Sequence, residues 1–198
     1  MSILDDITRD LDWREAEIAS MRVVLSSTGL TSIQKLTLLR AAWALLYAHY
    51  EGFCKNTLVT YYDFISNSRI ACRDLPETTR LFALKKKLTQ MRNLQDNDLV
   101  VEITKFQSNC LSPTPEFPSV DTQSNLWPNL LIELMETADL NTEIVSENEV
   151  KLKTLVNRRN KIAHGENNII QELEYYKSFE DAVYNVMYDL AIQVDRRL

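Results

Sequence analysis

A run near the C-terminal end, Val156-Asn157-Arg158-Arg159-Asn160-Lys161-Ile162-Ala163-His164-Gly165, holds three cationic side chains, one of only two histidines and one of only three glycines. An imidazole moves protons near neutral pH, a guanidinium stabilises charge on a phosphate, and an amide beside it can orient that phosphate. Arg159, Asn160 and His164 therefore assemble the groups that phosphodiester chemistry wants. By spacing alone the motif has a second account. A histidine at the end of a helix faces the helix dipole, and an arginine before it can belong to a structural ion pair.

The element that must position these groups is a helix. Ser146-Glu147-Asn148-Glu149 reads as an S-x-x-E capping box that opens it, and Gly165 supplies the stop. Leu152, Leu155, Val156, Ile162 and Ala163 recur at helical spacing and mark its buried stripe. At roughly 100° per residue Arg159 falls in the middle of that stripe, Asn160 at its edge, and His164 one turn beyond Asn160 on the same flank. A guanidinium so placed must be paired, line a cleft or sit at a subunit interface, because an unpaired buried charge costs several kcal/mol or more. Lys151, Lys153, Arg158, Arg159 and Lys161 follow one another with no acid among them, so positive charge is concentrated there.

The whole chain is acidic, with a formal net charge of −6 over 198 residues. That disfavours nonspecific coating of nucleic acid, which needs a broad basic face, and leaves room for a small basic cleft on an acidic body. The length fits a single domain, 1–198, and the 45% apolar and 25% charged content is that of a soluble globular protein. No apolar run approaches the ~18 residues of a membrane span, and the start, Met1-Ser2-Ile3-Leu4-Asp5-Asp6, lacks a secretory signal's basic and apolar regions. Cys54, Cys72 and Cys110 are an odd, scattered set that reads as reduced thiols in a cytoplasmic protein. Two distant histidines and no spaced carboxylates give no metal site, and without a Gly-rich phosphate loop no cofactor is expected.

Few glycines and prolines argue against a turn-rich β fold, and the pattern reads as all-α, a bundle of six to seven helices. The first covers about 3–27 and ends at Thr28-Gly29. A second, from Thr31 or Ser32 to about Ser66, is apolar around nearly its whole circumference at 41–50 and must be central. Glu51 lies inside that crowded region and needs a partner, for which Arg159 is the obvious candidate. Further helices are expected near 77–94, 97–110 and 127–138, then the motif helix, then a last one from about Ile170 to Arg197. Three prolines within Pro113–Pro118 force an irregular loop at about 111–125, either a lid over a site or a plain surface connection.

Arg159-Asn160-Lys161-Ile162-Ala163-His164-Gly165 resembles the R-x4-6-H signature of the HEPN superfamily, including the polar residue that often follows its arginine. Leu45-Leu46-Tyr47-Ala48-His49-Tyr50-Glu51-Gly52-Phe53 is similar to the second-helix segment of a prokaryotic branch found among toxin–antitoxin and phage-defence proteins. The resemblance implies a helical bundle that forms a homodimer through its signature helices. It also implies a metal-independent endoribonuclease whose composite site draws Arg and His from both subunits. Carried over by position, Arg159 and His164 take the catalytic places, Asn160 the accessory place and Glu51 a supporting one, while Arg158, Lys161 and Lys153 would contact RNA. An antitoxin or defence-system partner protein is expected. Partner-adenylylated relatives carry a tyrosine two residues after the histidine, where this chain has Glu166. A catalytically silent dimer serving as a binding or assembly module is the competing expectation.

Other residues carry less. His49 reads as a hydrogen-bonded core or interface histidine. Lys85-Lys86-Lys87 with Arg92 reads as a solvated face, and Trp13, Trp43 and Trp127 as core.

Overall fold

A computed structural model describes residues 3–166 and 173–197. Eight α-helices and no strand occur among them: α1 (Ile3–Leu25), α2 (Ser32–Asn67), α3 (Glu77–Arg92), α4 (Asp96–Phe106), α5 (Pro128–Thr137), α6 (Glu143–Glu147), α7 (Glu149–Ala163) and α8 (Leu173–Asp195). A single 3-10 turn, Cys72–Asp74, precedes α3, and α4 widens into a π turn, Gln107–Leu111. No helix is long and apolar enough to cross a membrane among the described residues.

The centre of the bundle is α2. Its start is fixed by a capping box, in which Gln34 N–H donates to Thr31 Oγ1 (3.2 Å) and Thr31 N–H to Gln34 Oε1 (2.9 Å). With no polar face along its middle it is covered by α1, α7 and α8. Trp43, Leu46, Tyr50, Phe53 and Leu58 are fully buried, each contributing roughly 1.5–3 kcal/mol of hydrophobic stabilisation. Phe179 and Tyr176 of α8 pack edge-on against Trp43, with centroids 4.6 and 5.4 Å away.

Against the face of α2, α1 places a second misplaced arginine, one not singled out from sequence. Arg14 is only 5% exposed, its guanidinium 3.1 Å from Asp10 and pressed against Gly52. Nearby His49 is buried, with Nε2 3.0 Å from Glu17 Oε2, in keeping with a core histidine. Trp13 departs from expectation: it is 48% exposed, lying across the edge of His49 with Arg14 over its ring. Elsewhere in the core the buried Glu180 of α8 meets Arg22 of α1 at 2.6 Å.

Both ends of α7 differ from expectation, and the short α6 before it raises the helix count to eight, above six or seven. The expected Ser146 capping box does not form, because Ser146 Oγ turns back to donate to Thr142 O (3.0 Å) within the short α6. Asn148 is the N-cap of α7 instead, its carbonyl accepting from Leu152 N–H at 3.0 Å and its side chain facing away, toward Ile144 O. At the far end Ala163, expected in the buried stripe, is exposed, whereas Ile162 packs on the core. The expected start of the last helix at Ile170 lies outside the described residues.

The proline-containing segment is neither a bare connection nor a free lid. Cys72 N–H donates to Pro113 O (2.8 Å), Phe117 packs on Tyr62 at 4.5 Å between centroids, and Val120 and Leu126 are buried.

Candidate functional site

Leu152, Leu155 and Val156 are fully buried and seat α7 against the bundle, which brings the next residue of their stripe, Arg159, to the wall of α2. The guanidinium lies 4.9 Å over the ring of Tyr47. Its Nη1 donates to Asn125 Oδ1 (3.1 Å) and Asn160 Oδ1 (3.0 Å). The anomaly read from sequence is resolved by two amides, which engage Nη1, and by a ring face, none of which cancels the charge.

The expected partner, Glu51, forms no ion pair with Arg159. It sits one turn beyond Tyr47 on α2, and Tyr47 intervenes as the group that meets the guanidinium. The Tyr47 hydroxyl accepts from Leu126 N–H at 2.9 Å. Burial pushes that phenol far above its ordinary range, the Leu126 N–H opposes this, Glu51 adds to it and Arg159 opposes it. Tyr47 is thus a neutral shelf at any working pH.

Arg158 is held similarly. Its Cζ lies 4.8 Å over Trp43 and 5.2 Å over Tyr175, with Nη2 3.5 Å from the Tyr175 hydroxyl. It is packed between α2 and α8, and is not a free surface cation. Lys153 pairs with Glu149 one turn away, whereas Lys161 is exposed.

His164 is the C-cap of α7. Gly165 takes φ 75°, donating to Ile162 O (3.1 Å), and Glu166 N–H reaches back to Lys161 O (2.9 Å), which together close the helix in a Schellman motif. Arg40, from the first turns of α2, donates to Glu166 O at 2.9 Å and ties this end down. The imidazole is exposed and makes no hydrogen bond or ion pair among the described residues. It stands five positions beyond Arg159, which on a helix is about 140° of rotation and about 7.5 Å of rise. Within one chain the guanidinium and the imidazole therefore point to different sides of α7.

Asn125, Tyr47 and Arg40 were not singled out from sequence. Asn125 reaches Arg159 because the chain before it is bent: Gln123 and Ser124 have φ of 49° and 67°, a left-handed pair costing on the order of 1–3 kcal/mol per residue. Asp121 Oδ1 braces the bend by accepting from Gln123 N–H at 2.8 Å, and Asn125 N–H bonds Thr122 O at 3.0 Å. The only available signal was Asn125's place at the end of the loop, next to the apolar Leu126.

No cluster of three or more His, Cys, Asp or Glu able to hold a metal occurs among the described residues. A cavity of about 540 Å³ lies elsewhere, between α3, the π turn and the proline-containing segment, and none of its walls comes from α7. No curated protein and no solved structure matches the chain. The model of the HEPN_MAE_28990-like HEPN family does match it, over residues 3–198, and this nearly complete match places the chain in the HEPN superfamily.

Proposed function

We propose that this HEPN protein is a metal-independent endoribonuclease whose site is assembled from two copies of the chain, acting in the cytoplasm as a toxin or phage-defence effector restrained by a partner protein. The observation that carries the reading is the disposition of α7. A guanidinium with its charge uncancelled is fixed on one side, and an exposed imidazole stands about 140° away on another. A second α7 packed across a twofold axis would bring the histidine of one copy to the arginine of the other.

In that site His164 takes the proton from a ribose 2′-hydroxyl, whose oxygen attacks the adjacent phosphorus. Arg159, oriented by Asn125 and Asn160, stabilises the charge building on the non-bridging oxygens. A second histidine protonates the departing 5′-oxygen, leaving a 2′,3′-cyclic phosphate and a 5′-hydroxyl. Glu51 acts at one remove through Tyr47. Lys161 is best placed to meet RNA phosphates, with Lys153 behind it and Arg158 confined to buttressing the helix.

The competing reading, a silent dimer used for assembly, draws on the fact that both amide partners of Arg159 come from its own chain. Cleavage of RNA in excess chelator separates the two. Wild type is expected to cut RNA and spare DNA, and His164→Ala to lose roughly 10²–10⁴-fold in rate at unchanged stability. Cleavage only with added divalent metal, or undiminished cleavage by His164→Ala, overturns the proposal.

A further inference from the structure

We propose that the 540 Å³ cavity binds a small organic anion, and that its occupancy is transmitted to Arg159 through the chain segment the two places share. The size lies within the range of small-ligand sites, roughly 300–1,000 Å³. Its lining combines hydrogen-bond donors and positive charge, from Lys86, Lys87, Gln90 and Asn109, with one carboxylate, Glu116, and with apolar surface from Leu84 and Phe117. Lys87 is already matched by Glu102, which raises its pKa. Lys86 has no ion pair among the described residues and is the cation that would meet the ligand's anionic group, with Glu116 restricting where on the lining that group can sit. An anion with a flat or apolar body suits that mixture.

The connection to the site is covalent and short. Pro113 to Pro118 line the cavity, and seven residues further on Asn125 accepts from Arg159. The stretch between is packed by Phe117 on Tyr62 and by buried Val120 and Thr122, so it has little slack to absorb a displacement. The left-handed pair Gln123 and Ser124 is the point where the backbone yields most readily. A ligand that shifts the proline wall changes the strain on that bend and the aim of Asn125, without touching α7.

The probe is phenyl phosphate, titrated into the isotope-labelled protein with calorimetry in parallel, and with inorganic phosphate as the probe lacking an apolar body. Saturable binding is expected, at least tenfold weaker for inorganic phosphate and for Lys86→Glu, with the Asn125 side-chain amide resonance shifting as the site fills. Absence of saturable binding, equal affinity in Lys86→Glu, or equal affinity for inorganic phosphate overturns the site. Saturation with the Asn125 resonance unmoved overturns the coupling. No RNA is involved, so failure here is distinguishable from failure of the nuclease reading.

Discussion

Gly52→Ala tests how tightly α1 is locked to α2. A Cβ at this position would stand 2.8 Å from Arg14 Nη1, 3.1 Å from Nη2 and 3.3 Å from Cζ. Helix propensity alone would favour alanine by about 1 kcal/mol. Against it, the guanidinium must retreat by about 1 Å to reach an ordinary contact distance, in a site where it is 5% exposed and paired with Asp10 at 3.1 Å. Stretching a largely buried ion pair out of range costs ~2–3 kcal/mol, somewhat less than the ~3–5 of deleting a partner outright. The balance is a loss of ~1–2 kcal/mol, made up of the ~1 gained and the ~2–3 lost. In an Arg14→Met background the obstacle is gone, and the same substitution should stabilise by ~1 kcal/mol, giving a coupling of ~2–3 kcal/mol. Urea unfolding of the four proteins, analysed at a common m-value, reads this directly. If Gly52→Ala stabilises the parent protein, or its cost persists once Arg14 is methionine, the close-approach reasoning fails.

Burial chiefly, with help from Arg14, holds the His49 imidazole below its ordinary pKa, against the opposing carboxylates of Glu17 and Asp10. The unfolded chain then binds a proton that the folded one resists, so stability present above pH ~6.5 should decline as pH falls through the lowered folded value. Unfolding free energies measured between about pH 7 and 5 should show that slope, reduced in His49→Gln. Gly165→Ala meets no atom within 4 Å, yet its φ of 75° makes alanine strained by ~1–2 kcal/mol. The last turn of α7 should fray, lowering RNA cleavage more than urea stability, and equal losses in both would detach His164's placement from function.

The elements whose apolar period runs long were legible in the sequence. The second helix was expected from Thr31 or Ser32 to about Ser66 and is Ser32–Asn67, because only one path buries so many aromatic and aliphatic residues. Gly165 was legible as a stop because a left-handed closure needs a residue without Cβ. What failed depended on competition between equivalent partners. Ser146 could cap forward or bond backward, and the local turn at Thr142 won. Arg159 could pair with Glu51 or stack on Tyr47, and one helical turn on α2 decided it. Arg14 was hidden for a related reason. On a helix rich in charge its burial follows from the missing Cβ of a glycine far along the chain, a relation that no local period encodes.

The shelves beneath the two arginines have a consequence for biosynthesis. Trp43 and Tyr47 leave the ribosome early, Arg158 and Arg159 much later, and Tyr175 later still, with the rest of α8 that sheathes the spine. A nascent chain therefore carries a long, greasy α2 that has α1 beside it but lacks α7 and α8 until translation has passed them, which makes it a natural client for a holding chaperone. Of the two arginines only Arg158 waits for that last ring, whereas Arg159 can settle on Tyr47, Asn125 and Asn160 as soon as α7 has emerged.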